Sequence, residues 1–145
     1  MRSRWRRSAG LSDLLVAGSA AAADGLLVRV TPEAAGWSYV GFEVYRLRRG
    51  RQFERPTGDR EACAVVLSGR ADFSFGGLEW PEVGGRNSVF DGPPYSVYAP
   101  PGGVLSATGA AEVSAIAFCW APAAEGFEPA LITPGRRQGF QARVR

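Results

Sequence analysis

The stretch GRQFERPTGDREACAVVLSGRADFSFGG, Gly50–Gly77, decides how the chain is read. Two apolar runs, Ala62–Ser68 and Ala71–Phe75, are joined by Ser-Gly-Arg. In the second run Ala71, Phe73 and Phe75 alternate with Asp72 and Ser74, the period of a strand with one wet face. The first run is apolar at odd and even positions alike, which predicts a strand covered on both sides. The segment in front of them is polar and turn-prone, and the whole sequence contains no histidine.

Working outward, Leu26–Val30 is a short β-branched run, closed by the punctuation of Thr31-Pro32 and Ala35-Gly36. From Trp37 to Leu47 one face carries Ser38, Val40, Phe42, Val44 and Arg46. The other carries Trp37, Tyr39, Gly41, Glu43, Tyr45 and Leu47, so this strand too is expected to be covered twice. Ser88–Phe90 and Tyr95–Ala99 read as two further short strands between turn signals. In EVSAIAFCWAP, Val113, Ala115, Ala117 and Cys119 make a small-residue face, against a bulky one of Ile116, Phe118 and Trp120. Helical periodicity is confined to Ser12–Ala17. With 19 glycines and 10 prolines spread along 145 residues, the pattern is eight or so short strands between tight turns. It predicts an all-β single domain, a β-sandwich or jelly roll over residues 25–145, preceded by a flexible N-terminal arm over 1–24.

Apolar residues at 46% and charged residues at 21% describe a globular chain. The formal net charge is +3, and all 17 basic residues are arginine. Eight of them lie near the ends, at Arg2, Arg4, Arg6, Arg7, Arg136, Arg137, Arg143 and Arg145, and this distribution argues against a nucleic-acid partner. The opening MRSRWRRSAGLSDLLVAGSAAAADG imitates a signal peptide. Asp13 and Gly18-Ser19 interrupt its apolar run, so a cytoplasmic location is expected. No stretch reaches the length of a membrane span. Cys63 and Cys119, each within an apolar run and with no second cysteine nearby in sequence, read as reduced buried thiols.

Without histidine, Ser-His-Asp and Cys-His catalysis are excluded, as are imidazole-built metal sites. Without lysine, Schiff-base chemistry and the P-loop are excluded as well. Carboxylates, arginines and tyrosines remain. Asp59, Glu79 and Asp91 read as solvated turn residues. Glu43 stands mid-strand among aromatics, where a carboxylate needs a partner. Arg46 or an arginine of a partner chain is the expected one, and a structural ion pair is favoured over catalysis.

Four blocks carry a family likeness: VTPEAAGWSYVGFEVYRL (30–47), TGDREACAVVLSGRA (57–71), SVFDGPPYSVYAPPG (88–102) and APA…PALITP (121–134). In this order they resemble the N-terminal half of bacterial 5-deoxy-glucuronate isomerase, a bicupin of myo-inositol catabolism. That family is related to 5-keto-4-deoxyuronate isomerase. The resemblance implies a cupin-type jelly roll. It also implies an aldose–ketose isomerisation of 5-deoxy-D-glucuronate to 5-dehydro-2-deoxy-D-gluconate.

In that family the metal ligands belong to the C-terminal cupin, so the resemblance implies no metal or other cofactor in this chain and a divalent metal only in a C-terminal partner. Laid on the general cupin pattern, the H-x-H pair falls at Arg55 and Thr57, the glutamate at Glu61 and the later histidine at Leu105. Only Glu61 keeps a ligand type. No catalytic residue is assigned. Arg55, Thr57, Glu61 and Arg70 are the candidate substrate-binding residues, with Arg55 or Arg70 on the carboxylate of a sugar acid. The alternatives to an isomerase role are a metal-free sugar-acid binder and a non-catalytic half that needs a second cupin. Trp37, Tyr39 and Tyr45 are expected to face that second cupin or, in a homo-oligomer, a copy of the chain.

Overall fold

Residue 23 and residues 25–135 are described by the computed structural model. Apart from Ala23, the expected N-terminal arm and its Ser12–Ala17 periodicity lie outside them. Ten strands and one helical turn follow in chain order. They are β1 (Leu26–Val30), α1 (Pro32–Ala35), β2 (Gly41–Arg48), β3 (Gln52–Pro56), β4 (Arg60–Ser68) and β5 (Arg70–Phe75). After these come β6 (Leu78–Gly84), β7 (Ser96–Ala99), β8 (Val104–Gly109), β9 (Val113–Pro122) and β10 (Ala130–Ile132). Six strands form one sheet in the order β1-β2-β9-β4-β7-β10, and four form the other in the order β3-β8-β5-β6. Every pairing is antiparallel. The expected all-β jelly roll is what these residues build.

Its core is the inner face of both sheets. On β4 the even positions Ala62, Ala64 and Val66 are buried, and on β9 so are Ile116 and Phe118. Across from them β5 contributes Phe73 and Phe75, and β8 contributes Leu105 and Ala107. Each fully buried aliphatic side chain such as Leu105 contributes roughly 1.5–3 kcal/mol. The β4–β5 hairpin turns at Gly69, where φ is +74° and a Cβ would stand 2.5 Å from the carbonyl oxygen of Val113. Only glycine fits there.

Several expected elements change. The strand expected from Trp37 begins at Gly41. Thr31 caps a helical turn over Pro32–Ala35, its Oγ1 accepting from Ala34 N at 3.2 Å, and Gly36 closes it at φ 68°. Trp37 and Tyr39 are thereby left 52% and 69% exposed, whereas Tyr45, expected at the same interface, is sealed in the core. Ser88–Phe90 is a turn. The Asp91 carboxylate draws in the amides of Asn87 and Ser88 at 3.2 and 3.0 Å, and Phe90 projects into solvent. Among the described residues no helix is long and apolar enough to cross a membrane.

Candidate functional site

Period-two alternation brings Glu43 and Tyr45 of β2 to the inner face, and Phe53, Arg55 and the following Thr57 to the inner side of β3. Arg29 of β1 is the register partner of Glu43. The carboxylate is 4% exposed and fully engaged. Its Oε1 accepts from Arg29 Nε at 2.7 Å, and its Oε2 accepts from Arg55 Nε at 3.0 Å and from the Tyr45 hydroxyl at 2.8 Å. Arg55 also donates through Nη2 to the Tyr45 oxygen and through Nη1 to the carbonyl of Glu54 at 3.0 Å. Beneath it the Tyr45 ring stacks on Phe53, centroids 4.1 Å apart, and Phe53 meets Phe118 edge-on. Glu43, unlike the expectation, has nothing to do with Arg46. That residue lies on the other, outward face of β2, exposed.

The cluster opens into a cavity of about 150 Å³ lined by Glu43, Arg55, Thr57, Arg60, Phe118 and Trp120. Trp120 reaches it because β2 has glycine at position 41. A Cβ there would stand 2.1 Å from the indole. Arg60 stands 3.8 Å from the exposed Asp59, a contact that water largely screens, and its charge also reaches Glu33. In the cavity lining one buried carboxylate, Glu43, stands with two arginines, Arg55 and Arg60, beside the rings of Phe118 and Trp120, while Arg29 holds Glu43 from outside the lining.

The four sequence candidates part company here. Arg55 is at the centre of the site. Thr57 is on its wall, but its Oγ1 is already committed to the Gly103 backbone, donating to the carbonyl at 3.1 Å and accepting from the amide at 2.9 Å. It ties the end of β3 to the turn before β8. Glu61 lies on the outer face of β4, accepting from the Tyr98 hydroxyl at 2.9 Å. Burial, and behind it the nearby Glu61 carboxylate, pushes the Tyr98 pKa up, so that hydroxyl keeps its proton above the usual tyrosine range. Arg70 stands at the far end of the smaller sheet. β8 pairs with Pro56 through Val104 at one end and with Ala71 through Gly109 at the other. There Arg70 is exposed and 3.8 Å from Glu82. Arg29, Tyr45, Arg60 and Trp120 belong to the site and were not singled out for it from sequence.

The cupin ligand positions can now be tested for fit. Arg55, Thr57 and Leu105 do face inward, and the inward residue on β4 is Ala62 rather than Glu61. A one-residue shift along a strand moves a side chain to the opposite face. A guanidinium, a committed hydroxyl, a methyl and an isobutyl group cannot hold a divalent cation. Among the described residues the one buried carboxylate, Glu43, is already neutralised by two guanidiniums. The residues do not fit a metal, and among the described residues no three His, Cys, Asp or Glu side chains gather where they could hold one.

Residues 14–141 match the KduI/IolB family model. The chain belongs to that family. It is 40% identical over 134 residues to a 5-deoxy-glucuronate isomerase of Geobacillus kaustophilus HTA426, covering 92% of this chain and 48% of that relative. A second, from Geobacillus thermodenitrificans NG80-2, is 42% identical over 121 residues, covering 83% and 43%. The crystal structure of an IolB-like protein from Salmonella typhimurium LT2 superposes with a TM-score of 0.76 at 31% identity, covering 82% of this chain and 44% of that one. The chain thus spans about half the length of the curated relatives it matches.

Replacing Glu43 by Gln leaves Arg55 and Arg29 without a counter-charge. Breaking a buried pair costs about 3–5 kcal/mol, but both guanidiniums are partly exposed, so the expected loss is about 1–3 kcal/mol. Urea unfolding followed by tryptophan fluorescence measures it, and a change below about 0.5 kcal/mol, the range of ordinary surface substitutions, would contradict the account.

Proposed function

We propose that this domain is the metal-free cupin half of a 5-deoxy-glucuronate isomerase, N-terminal in position, and that its inner cavity holds a sugar acid by its carboxylate. What carries the reading is one carboxylate already saturated by Arg29, Arg55 and Tyr45 in a cavity that two arginines, Arg55 and Arg60, line together with Phe118 and Trp120. The family supplies a uronate-type substrate of matching charge. Arg55 has five N–H donors. Three are used on Glu43, Glu54 and Tyr45, and two remain. With Arg60 they would grip a carboxylate, while Trp120 and Phe118 pack against the apolar face of the sugar. Thr57 shapes the wall. Glu61 and Arg70, on the outer face and at the opposite end, have no part in this grip.

In this reading the aldose–ketose isomerisation belongs to an assembly in which a second, C-terminal cupin supplies the divalent metal. No step of that reaction is assigned to Arg55 or Glu43. The assembly works in the cytoplasm and involves neither nucleic acid nor membrane. Its contact surface includes the exposed Trp37 and Tyr39, which either the second cupin or another copy of this chain would cover. Light scattering at micromolar concentration should accordingly find this chain as a dimer or larger. A monodisperse monomer would remove the self-association half of this proposal.

Titration calorimetry with D-glucuronate tests the site itself. Charge-assisted hydrogen bonds contribute about 1.5–3 kcal/mol, so Arg55→Met and Arg60→Met should each weaken binding roughly 10- to 100-fold. Arg70→Met should leave it unchanged, and a chelator should too. Equal affinity for neutral glucose, or loss of binding on chelation, would contradict the proposal.

A further inference from the structure

The outer face of the six-stranded sheet holds a second cavity, of about 180 Å³, lined in part by Glu61, Cys63, Tyr98, Cys119 and Trp120. The two cysteines are distant in sequence, but β4 and β9 pair Cys63 directly with Cys119. Their side chains point to the same side and both line the cavity. The ladder fixes their spacing. Ala123 N donates to Asp59 O at 3.0 Å, and in an antiparallel ladder every second opposed pair is hydrogen-bonded. Asp59–Ala123 is such a pair. Arg60–Pro122 is not, in keeping with the missing N–H of proline. Counting on by twos makes Cys63–Cys119 hydrogen-bonded as well. Cα atoms in such a pair stand about 5.5 Å apart, inside the span of roughly 4.4–6.8 Å that a disulfide bridges.

We propose that Cys63 and Cys119 form a cross-strand dithiol that closes to an intrachain disulfide when it meets a small-molecule disulfide such as oxidised glutathione. Both thiols are half-buried. The Cys119 thiolate attacks one sulfur of the reagent, forming a mixed disulfide and releasing one thiolate. The Cys63 thiolate then attacks Cys119 Sγ, forming the Cys63–Cys119 bond and releasing the second. Two protein thiols are oxidised and one reagent disulfide is reduced to two thiols, so the exchange balances. The order of the two cysteines, both half-buried, can be exchanged without altering that balance. Cβ atoms of a hydrogen-bonded pair lie roughly 5.5 Å apart against a disulfide mean of about 3.8 Å. Closure therefore pulls β4 and β9 together, and the bond should yield readily to a mild reductant.

Burial raises both thiol pKa values. The thiolate is the reacting species, so the closure rate should keep rising with pH through and beyond about 8.5, the ordinary thiol value. The inference rests on the sheet register and is independent of the proposed ligand.

Incubating the folded protein with oxidised glutathione, then intact-mass analysis and non-reducing peptide mapping, provides the test. The expected product has lost two hydrogens and carries one peptide linking Cys63 to Cys119, reversed by glutathione. Cys63→Ser and Cys119→Ser, each shown to be folded by thermal melting in reductant, should stop at a single mixed disulfide. Two glutathione adducts on the native chain, a link between chains, or no reaction where the urea-unfolded chain reacts would each overturn the proposal.

Discussion

The carboxylate of Glu43 sets the terms for the interior. It is buried beside β1 and β3, where an unpaired charge would cost several kcal/mol, and it is satisfied by Arg29, Arg55 and the Tyr45 hydroxyl. That single requirement pulls β1, β2 and β3 into one electrostatic unit, joining an edge strand of each sheet through β2. It also orients Arg55 over the Tyr45 ring, 5.2 Å from its centroid, with two donors left for a ligand. An ion cluster of Glu43, Arg29 and Arg55 thus occupies this corner of the interior.

Several strands were legible in the sequence, as apolar runs bounded by turn residues and, at Ala71–Phe75, from the period two of the pleat. Leu26–Val30, Ala71–Phe75 and the run from Val113 lie where the pattern put them, within a residue, and the strand read at Ala62–Ser68 begins two residues earlier, at Arg60. The missed strands had reasons to be invisible. β3 is an edge strand, with Phe53 and Arg55 facing inward from among charged and polar neighbours. β6 has Pro81 in its middle. β8 is built largely of small residues that look like loop. α1 was hidden because Thr31-Pro32 reads equally as a turn and as a capped helix start.

The site was half legible. Glu43 stood out as a carboxylate needing a partner, yet Arg29 became its neighbour only through the β1–β2 register, which no local pattern reveals. Arg46, nearer in sequence, was on the wrong face. Glu61 lies one residue from the inward position on β4, held by Ala62. Spacing alone could not tell it from Ala62, and on a strand that difference separates the interior from the exterior. Cys63 and Cys119 show the same limit, since a pairing made by sheet order has no signature in sequence.

Trp120 joins the two halves of the picture. Its indole, admitted by the absent side chain of Gly41, lines the inner cationic cavity and the outer thiol cavity alike. The proposed function makes the inner cavity a site for an anion rather than a cation. Its most direct test is the metal content of the purified chain, by mass spectrometry, after dialysis against Mn²⁺ and then metal-free buffer. The account predicts no stoichiometric metal. One bound ion per chain, lost on replacing Glu43 by Gln, would contradict it.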